Sequence, residues 1–170
     1  MKARATDAFD GTEGVVDHYI RDVPTPDRSY VDAVFASLED RLLKYDVFPP
    51  RLMRAEVCSE DGRLHEGTTI VQHVAIGPFT LESAVRVVRT WRMEDADRAE
   101  TGFAYVTLEG HPERGVSSFR VSRDSSGRIV FEIDARSSPG STLTRLGGPF
   151  ARRFQRRATE AALDHFALGR

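Results

Sequence analysis

Six short segments in the middle of the chain alternate apolar and polar residues, and turn-forming residues separate them. This pattern is typical of β-strands. The segments are residues 54–58, 68–76, 84–93, 102–108, 116–122 and 128–135. Because the connections between them are short, consecutive strands must mostly pair antiparallel. The sequence therefore predicts an antiparallel sheet at the centre of the fold.

The alternation also predicts which side chains point inward, because every second residue of a strand lies on the same face. The predicted inner residues are Val85, Val87, Trp91, Met93, Phe103, Tyr105, Phe119, Val121, Ile129, Phe131 and Ile133. The strand that contains Phe103 is ambiguous, since Ala104, Val106 and Leu108 on its other face are apolar too.

Amphipathic helices are predicted on both sides of these strands. Before them, apolar residues recur at helical spacing from Val31 to Leu42, and this helix should end near Asp46. After them, an apolar stripe runs from Phe150 to Phe166, which corresponds to a helix about 27 Å long. We therefore predict an α+β fold, in which a curved antiparallel sheet wraps around a long C-terminal helix.

Length and composition favour one globular domain. A chain of 170 residues buries a core without disulfides or metals. We predict an N-terminal tail over residues 1–22 and a single domain over residues 23–170. The tail lacks the apolar run of a signal peptide, and no stretch approaches the roughly 20 apolar residues of a membrane span. With Cys58 as the only cysteine, these features predict a cytoplasmic protein.

The string GFAYVTLEGHPERG at residues 102–115 resembles the GFAYxTLxGHPExG signature of the domain of unknown function 1990 family. Similar flanks extend the resemblance over roughly residues 30–166. The chain departs from the family pattern at Val116-Ser117-Ser118, where members often carry acidic residues. The resemblance implies a helix-grip, START-like fold and no established reaction.

Two hypotheses concern the GHPE segment. His111 and Glu113 are candidate catalytic residues, since an imidazole whose pKa is raised by nearby carboxylates suits acid/base chemistry. Alternatively, Gly110, Pro112 and Gly115 form a wide turn, and His111 fixes it by bonding a backbone group. No nucleophile or metal partner stands at a meaningful spacing, which favours the structural alternative.

A ligand pocket between the sheet and the C-terminal helix is the leading functional hypothesis. Its candidate ligand-binding residues are Trp91, Phe103, Tyr105, Phe119, Phe131, Phe154 and Gln72. Aromatic rings that converge in this way can line a pocket for a small apolar or amphipathic molecule. They can equally fill one another's space as an ordinary core. Either Gln72 or His73 must point inward from its strand, and it then needs a polar partner such as Tyr105.

Arginines form the only local basic patch, at Arg145, Arg152, Arg153, Arg156 and Arg157. They suit either a partner-binding surface or, more simply, the solvated side of the last helix. A net charge of −2 gives no general attraction to nucleic acid. The sequence has no zinc-ligand cluster, P-loop or nucleophile elbow, so we predict no metal and no cofactor. A non-enzymatic binding module is therefore the first hypothesis, ahead of an enzyme and a partner-binding scaffold.

Overall fold

An open antiparallel sheet forms the body of the protein in this computed structural model, which describes residues 15–25, 27–139 and 148–169. Its strands are β1 (Val15–Val23), β2 (Met53–Cys58), β3 (Thr69–Ile76), β4 (Phe79–Glu94), β5 (Arg98–Thr107), β6 (Glu113–Asp124) and β7 (Ile129–Pro139). Among these residues, seven strands pair in the order β1-β7-β6-β5-β4-β3-β2. Each strand from β2 to β6 pairs antiparallel with the next strand along the chain, as the short connections in the sequence predict.

Helices cover one face of this sheet, which we call the inner face. A 3-10 turn at Arg28–Tyr30 leads into α1 (Val31–Leu43), which packs against β5 and β6. The C-terminal helix α2 (Gly148–Leu168) packs against β1 and β7. The predicted sheet with a long C-terminal helix is therefore confirmed. No helix in the described ranges is long and apolar enough to cross a membrane.

Aromatic side chains form the centre of the core on the inner face. The rings of Phe103 and Phe119 stack with their centroids 5.0 Å apart, and Phe131 lies 4.1 Å from Phe166 of α2. These side chains are almost completely buried. Each contributes about 1.5–3 kcal/mol of burial free energy, and the Phe131–Phe166 contact joins β7 to α2.

The predicted N-terminal tail is wrong for part of its length, because residues 15–22 belong to an edge strand. β1 pairs with β7 from Val15 opposite Ser137 to Val23 opposite Ile129. The inner face of β1 includes Asp17 and Arg21, so polar residues occur on both of its faces and obscure the alternation. Residues 1–14 lie outside the described residues.

The predicted inward position of Trp91 and Met93 is also wrong. Strand β4 carries an irregularity at Val88: Val87 pairs with Tyr105, but Arg89 pairs with Ala104. One extra residue in a strand reverses the faces of everything that follows it. Trp91 therefore lies opposite Gly102 on the outer face, where its indole Nε1 donates to Glu100 Oε1 at 2.8 Å.

Candidate functional site

The inner face divides into a closed row and a partly accessible row. Phe103, Phe119 and Ile133 occupy neighbouring positions of β5, β6 and β7, and all three are buried. The next row along the same strands consists of Tyr105, Ser117 and Ala135. These three are only half-buried, although the helices lie over this face. We call this partly accessible space above the three residues the inner gap.

Helix α2 closes one side of the inner gap through Gln155. The Gln155 side-chain amide donates to Glu113 Oε2 at 3.0 Å and lies 3.4 Å from Ser137 Oγ. Phe154, the neighbouring residue of α2, is half-buried like Gln155. These contacts hold the first half of α2 over the ends of β6 and β7, so the helix and the sheet bound the space together.

A network of uncharged polar side chains lies on the inner face beside the gap. Gln72 of β3 is 3% exposed, and its Nε2 donates to the Tyr45 hydroxyl at 2.6 Å. Ser83 of β4 donates to Gln72 Oε1 over a longer distance of 3.4 Å. The Tyr105 hydroxyl joins this network through hydrogen bonds with Ser117, Tyr45 and Gln72. Burial raises the pKa of both tyrosines, so the network is neutral at physiological pH.

Tyr45 is a component of this site that the sequence analysis does not identify. It follows α1 at a φ of 59°, in the left-handed region where glycine is the usual residue. The helix ends in a Schellman motif, because Tyr45 N–H donates to the Leu42 carbonyl and Asp46 N–H donates to the Arg41 carbonyl. A glycine would have marked this position in the sequence, but a tyrosine gives no such signal.

The alternation predicts that one of two neighbouring polar residues points inward, and the structure assigns that position to Gln72. The paired residues Gln72 and Ser83 lie on the inner face, whereas His73 lies on the outer face between Glu56 and Glu82. The partner of Gln72 is Tyr45 in addition to the suggested Tyr105.

The GHPE segment lies at the edge of the inner gap. His111 Nδ1 is 2.9 Å from the Glu113 carbonyl oxygen and 3.1 Å from the Glu113 amide nitrogen, so either tautomer bonds the backbone. Burial lowers the pKa of His111, which corrects the expected rise. These contacts therefore match the turn-fixing bond of the structural alternative.

Glu113 provides a carboxylate at this edge of the gap. Burial raises its pKa, a hydrogen bond with Ser137 opposes the rise, and the negative charge of Asp17 adds to it. Its side chain accepts from Gln155, whereas His111 contacts its backbone. The carboxylate thus faces uncharged donors and a second acid.

The arginine-rich surface of α2 faces away from the sheet. Arg153, Arg156 and Arg157 are exposed, while Phe154 and Ala158 between them are half-buried. The side chains of Arg145 and Arg152 lie outside the described residues. The described arginines thus occupy the solvated side of an amphipathic helix, as the simpler interpretation predicts.

Within the ranges that the structure describes, no three His, Cys, Asp or Glu side chains are grouped as metal ligands would be. Two histidines lie beside carboxylates instead. His18 Nδ1 lies 2.6 Å from Asp134 Oδ1, and His165 Nε2 lies 3.2 Å from Asp46 Oδ1. Cys58 is exposed on the edge strand β2.

An open antiparallel sheet that holds a long C-terminal helix on its inner face defines the helix-grip class of folds. The chain belongs to the family described as Domain of unknown function (DUF1990), whose sequence profile matches residues 15–165. This match confirms the family that the signature at residues 102–115 suggests. No curated protein matches the chain significantly.

Solved structures share the fold at low sequence identity. A hypothetical protein, jhp0584 from Helicobacter pylori, has a TM-score of 0.58 and 10% identity, covering 94% of this chain and 90% of its own. Norcoclaurine synthase from Thalictrum flavum, in complex with dopamine and hydroxybenzaldehyde, has a TM-score of 0.51 and 14% identity, covering 99% of this chain and 95% of its own. At these identities the likeness establishes the fold alone.

Proposed function

We propose that the protein binds a small apolar or amphipathic molecule in the inner gap, between the sheet and α2. The observation that carries the proposal is the partial exposure of Tyr105, Ser117 and Ala135 in the middle of a face that helices cover. Central inner positions of a fully packed sheet are expected to be buried, as the Phe103 row is. Partial exposure there supports a space that a ligand fills.

The candidate ligand-binding residues take different parts in this proposal. Tyr105 and Phe154 are half-buried aromatic residues that suit the walls of the gap, and Gln72 belongs to the polar network beside it. Phe103, Phe119 and Phe131 are packed against other rings, so we assign them to the closed core beside the ligand. Trp91 is excluded from the gap because it lies on the outer face.

The fold is compatible with this function. A solved structure of the same fold holds the small aromatic molecules dopamine and hydroxybenzaldehyde. The inner gap combines apolar walls with a few polar groups, which is the usual composition of small-molecule sites. Acid/base chemistry by His111 and Glu113, a partner on the arginine surface and a cytoplasmic location stay predictions.

Native mass spectrometry of the freshly purified protein tests the proposal, followed by denaturing extraction of any molecule that leaves with it. We expect a stoichiometric additional mass, or uptake of a neutral fluorescent probe such as N-phenyl-1-naphthylamine. Ser117→Phe places a ring in the gap and should abolish either signal.

Adjacent Ser118 supplies the matched control. It lies on the outer face opposite Ala104 and Asp134, so Ser118→Phe adds the same ring outside the gap. This variant should bind as the natural protein does. Equal binding by the two variants, or an apo mass together with no probe uptake, would contradict ligand binding in the inner gap.

A further inference from the structure

Resting on the proposed function, we infer that the site selects molecules with an uncharged hydroxyl or carbonyl group on an otherwise apolar body. Ser117 contacts that group, and Tyr105, Tyr45 and Gln72 are the residues that position the Ser117 hydroxyl from behind. The inference concerns the chemical class of the ligand, which neither the fold nor the family specifies.

The side chains of the polar network beside the gap are uncharged. Tyr45, Gln72, Ser83, Tyr105 and Ser117 carry hydroxyl or amide groups, which both donate and accept hydrogen bonds. An ionic group placed among them would lose its hydration, and none of these five side chains supplies a counter-charge. A hydroxyl or carbonyl exchanges hydrogen bonds with water for equivalent bonds with these side chains.

The network retains hydrogen-bonding capacity for a ligand. Gln72 offers two amide hydrogens and a carbonyl oxygen, and each tyrosine offers one donor and two acceptor positions. The Ser83 bond to Gln72 Oε1 is long, at 3.4 Å, which leaves that acceptor weakly used. Ser117 is the half-buried hydroxyl at the gap, and its bond with Tyr105 takes one of its three positions, whereas Tyr45 and Gln72 are 4% and 3% exposed behind it.

The backbone at Tyr45 provides an independent observation. A non-glycine residue in the left-handed region carries strain, and such residues persist where the surrounding structure holds them. The Tyr45 ring contacts Phe48, Phe103 and Tyr105, with centroids 5.8–6.4 Å apart. The rings fix its orientation, and its hydroxyl is thereby directed at Gln72. The fold thus tolerates a strained residue that places a neutral donor beside the gap.

Charges at the edge of the gap oppose an anionic ligand group. Glu113 interacts electrostatically with the buried Tyr105 hydroxyl, and Asp17 adds a second negative charge nearby. A carboxylate on the ligand would meet both the neutral network and these acids. A protonated amine is attracted by the same acids, so the experiment compares all three head groups.

The test is displacement of N-phenyl-1-naphthylamine at pH 7 by 1-decanol, decanoate and decylamine, which share one alkyl chain. We expect 1-decanol to bind about tenfold more tightly than either charged competitor, which corresponds to one retained hydrogen bond. Tyr45→Phe and Gln72→Leu should reduce this preference to about threefold or less.

Each outcome decides a different point. Tightest binding of decylamine or decanoate, or an unchanged preference in both variants, would overturn the inference while leaving ligand binding intact. Absence of probe binding by the natural protein would overturn the proposed function itself. Ser83→Ala is a milder third variant for use if Tyr45→Phe and Gln72→Leu do not fold. The order in which the natural protein binds the three competitors decides the head-group class without any variant.

Discussion

Glu113 illustrates how one residue couples the site to stability. Burial raises its pKa above the ordinary 4.5, so between these two pKa values the folded protein binds more protons than the unfolded chain. The free energy of unfolding therefore falls as pH rises through that interval. Above both pKa values the ionised carboxylate lowers stability, and below them the protonated form removes this loss.

Glu113→Gln should consequently have a higher free energy of unfolding than the natural protein at pH 7. The advantage should shrink at pH 4, where the natural side chain is protonated as well. Urea unfolding at both pH values measures the difference. Glu109→Gln is the control, since Glu109 is exposed and close in sequence. A stability advantage of Glu113→Gln over the natural protein that is smaller at pH 7 than at pH 4 would refute this account.

For single residues, the sequence predicts which face of the sheet a side chain occupies better than it predicts which residue that side chain contacts. Strict alternation correctly orients Phe119 and Phe131, because each lies on a strand without a bulge between it and its neighbours. It leaves the face of Phe103 open, because both faces of that strand are apolar. It cannot identify Tyr45, whose position depends on the left-handed backbone after α1. The partner of Gln72 lies 27 residues away in sequence, and no local pattern specifies such a contact.

Among the elements, β4 shows how a bulge alters a surface. After Val88 the strand presents Trp91 on the outer face, where the indole covers Gly102 of β5. The Arg89 guanidinium lies 5.3 Å from the centre of the Trp91 ring. A Cβ atom on Gly102 would overlap this ring and approach the Phe119 carbonyl oxygen to 2.8 Å. Glycine is therefore required at position 102, because only a residue without a side chain lets the Trp91 ring pack directly on β5.

Gly102→Ala should lower the free energy of unfolding by about 1–3 kcal/mol, since overpacking forces the ring and backbone to shift. In a Trp91→Ala background the same change should cost less, because the overlapping ring is gone. Urea unfolding of the natural protein, both single variants and the double variant gives the coupling energy. Equal costs in the two backgrounds would show that the ring does not limit this position.

The elements themselves are predictable to different degrees. Strands β3 to β7 are found because each has apolar residues on its inner face and turn residues at its ends. Strand β1 is missed because its inner face carries Asp17 and Arg21, and Arg21 forms an ion pair with Asp164 of α2. Polar residues on the inner face of β1 allow this ion pair with α2. They also remove the alternation of apolar and polar residues from which a strand is predicted.

At the scale of the whole molecule, Arg41 joins the ends of the two helices. Its guanidinium donates to the Phe166 carbonyl at 3.1 Å and to the His165 carbonyl at 3.3 Å. It also pairs with Asp46 at 2.7 Å and lies 5.0 Å from the centre of the Phe166 ring. Both carbonyls lie in the last turn of α2, beyond which the helix supplies few further N–H donors. The His165 carbonyl also accepts from the Gly169 N–H at 3.1 Å. The anchor lies far along α2 from Gln155, which borders the inner gap.

Arg41→Met keeps most of the apolar stem but removes the guanidinium, and it should lower the free energy of unfolding by about 2 kcal/mol. Hydrogen exchange should increase in the last turns of α2 more than in β5 or β6, because only the helix end loses its anchor. Arg157→Met is the control, since Arg157 is exposed on the opposite side of α2. Uniformly faster exchange in helix and sheet would mean that Arg41 supports the core as a whole. Faster exchange confined to α2 would instead show that this wall of the inner gap is held at its C-terminal end independently of the sheet.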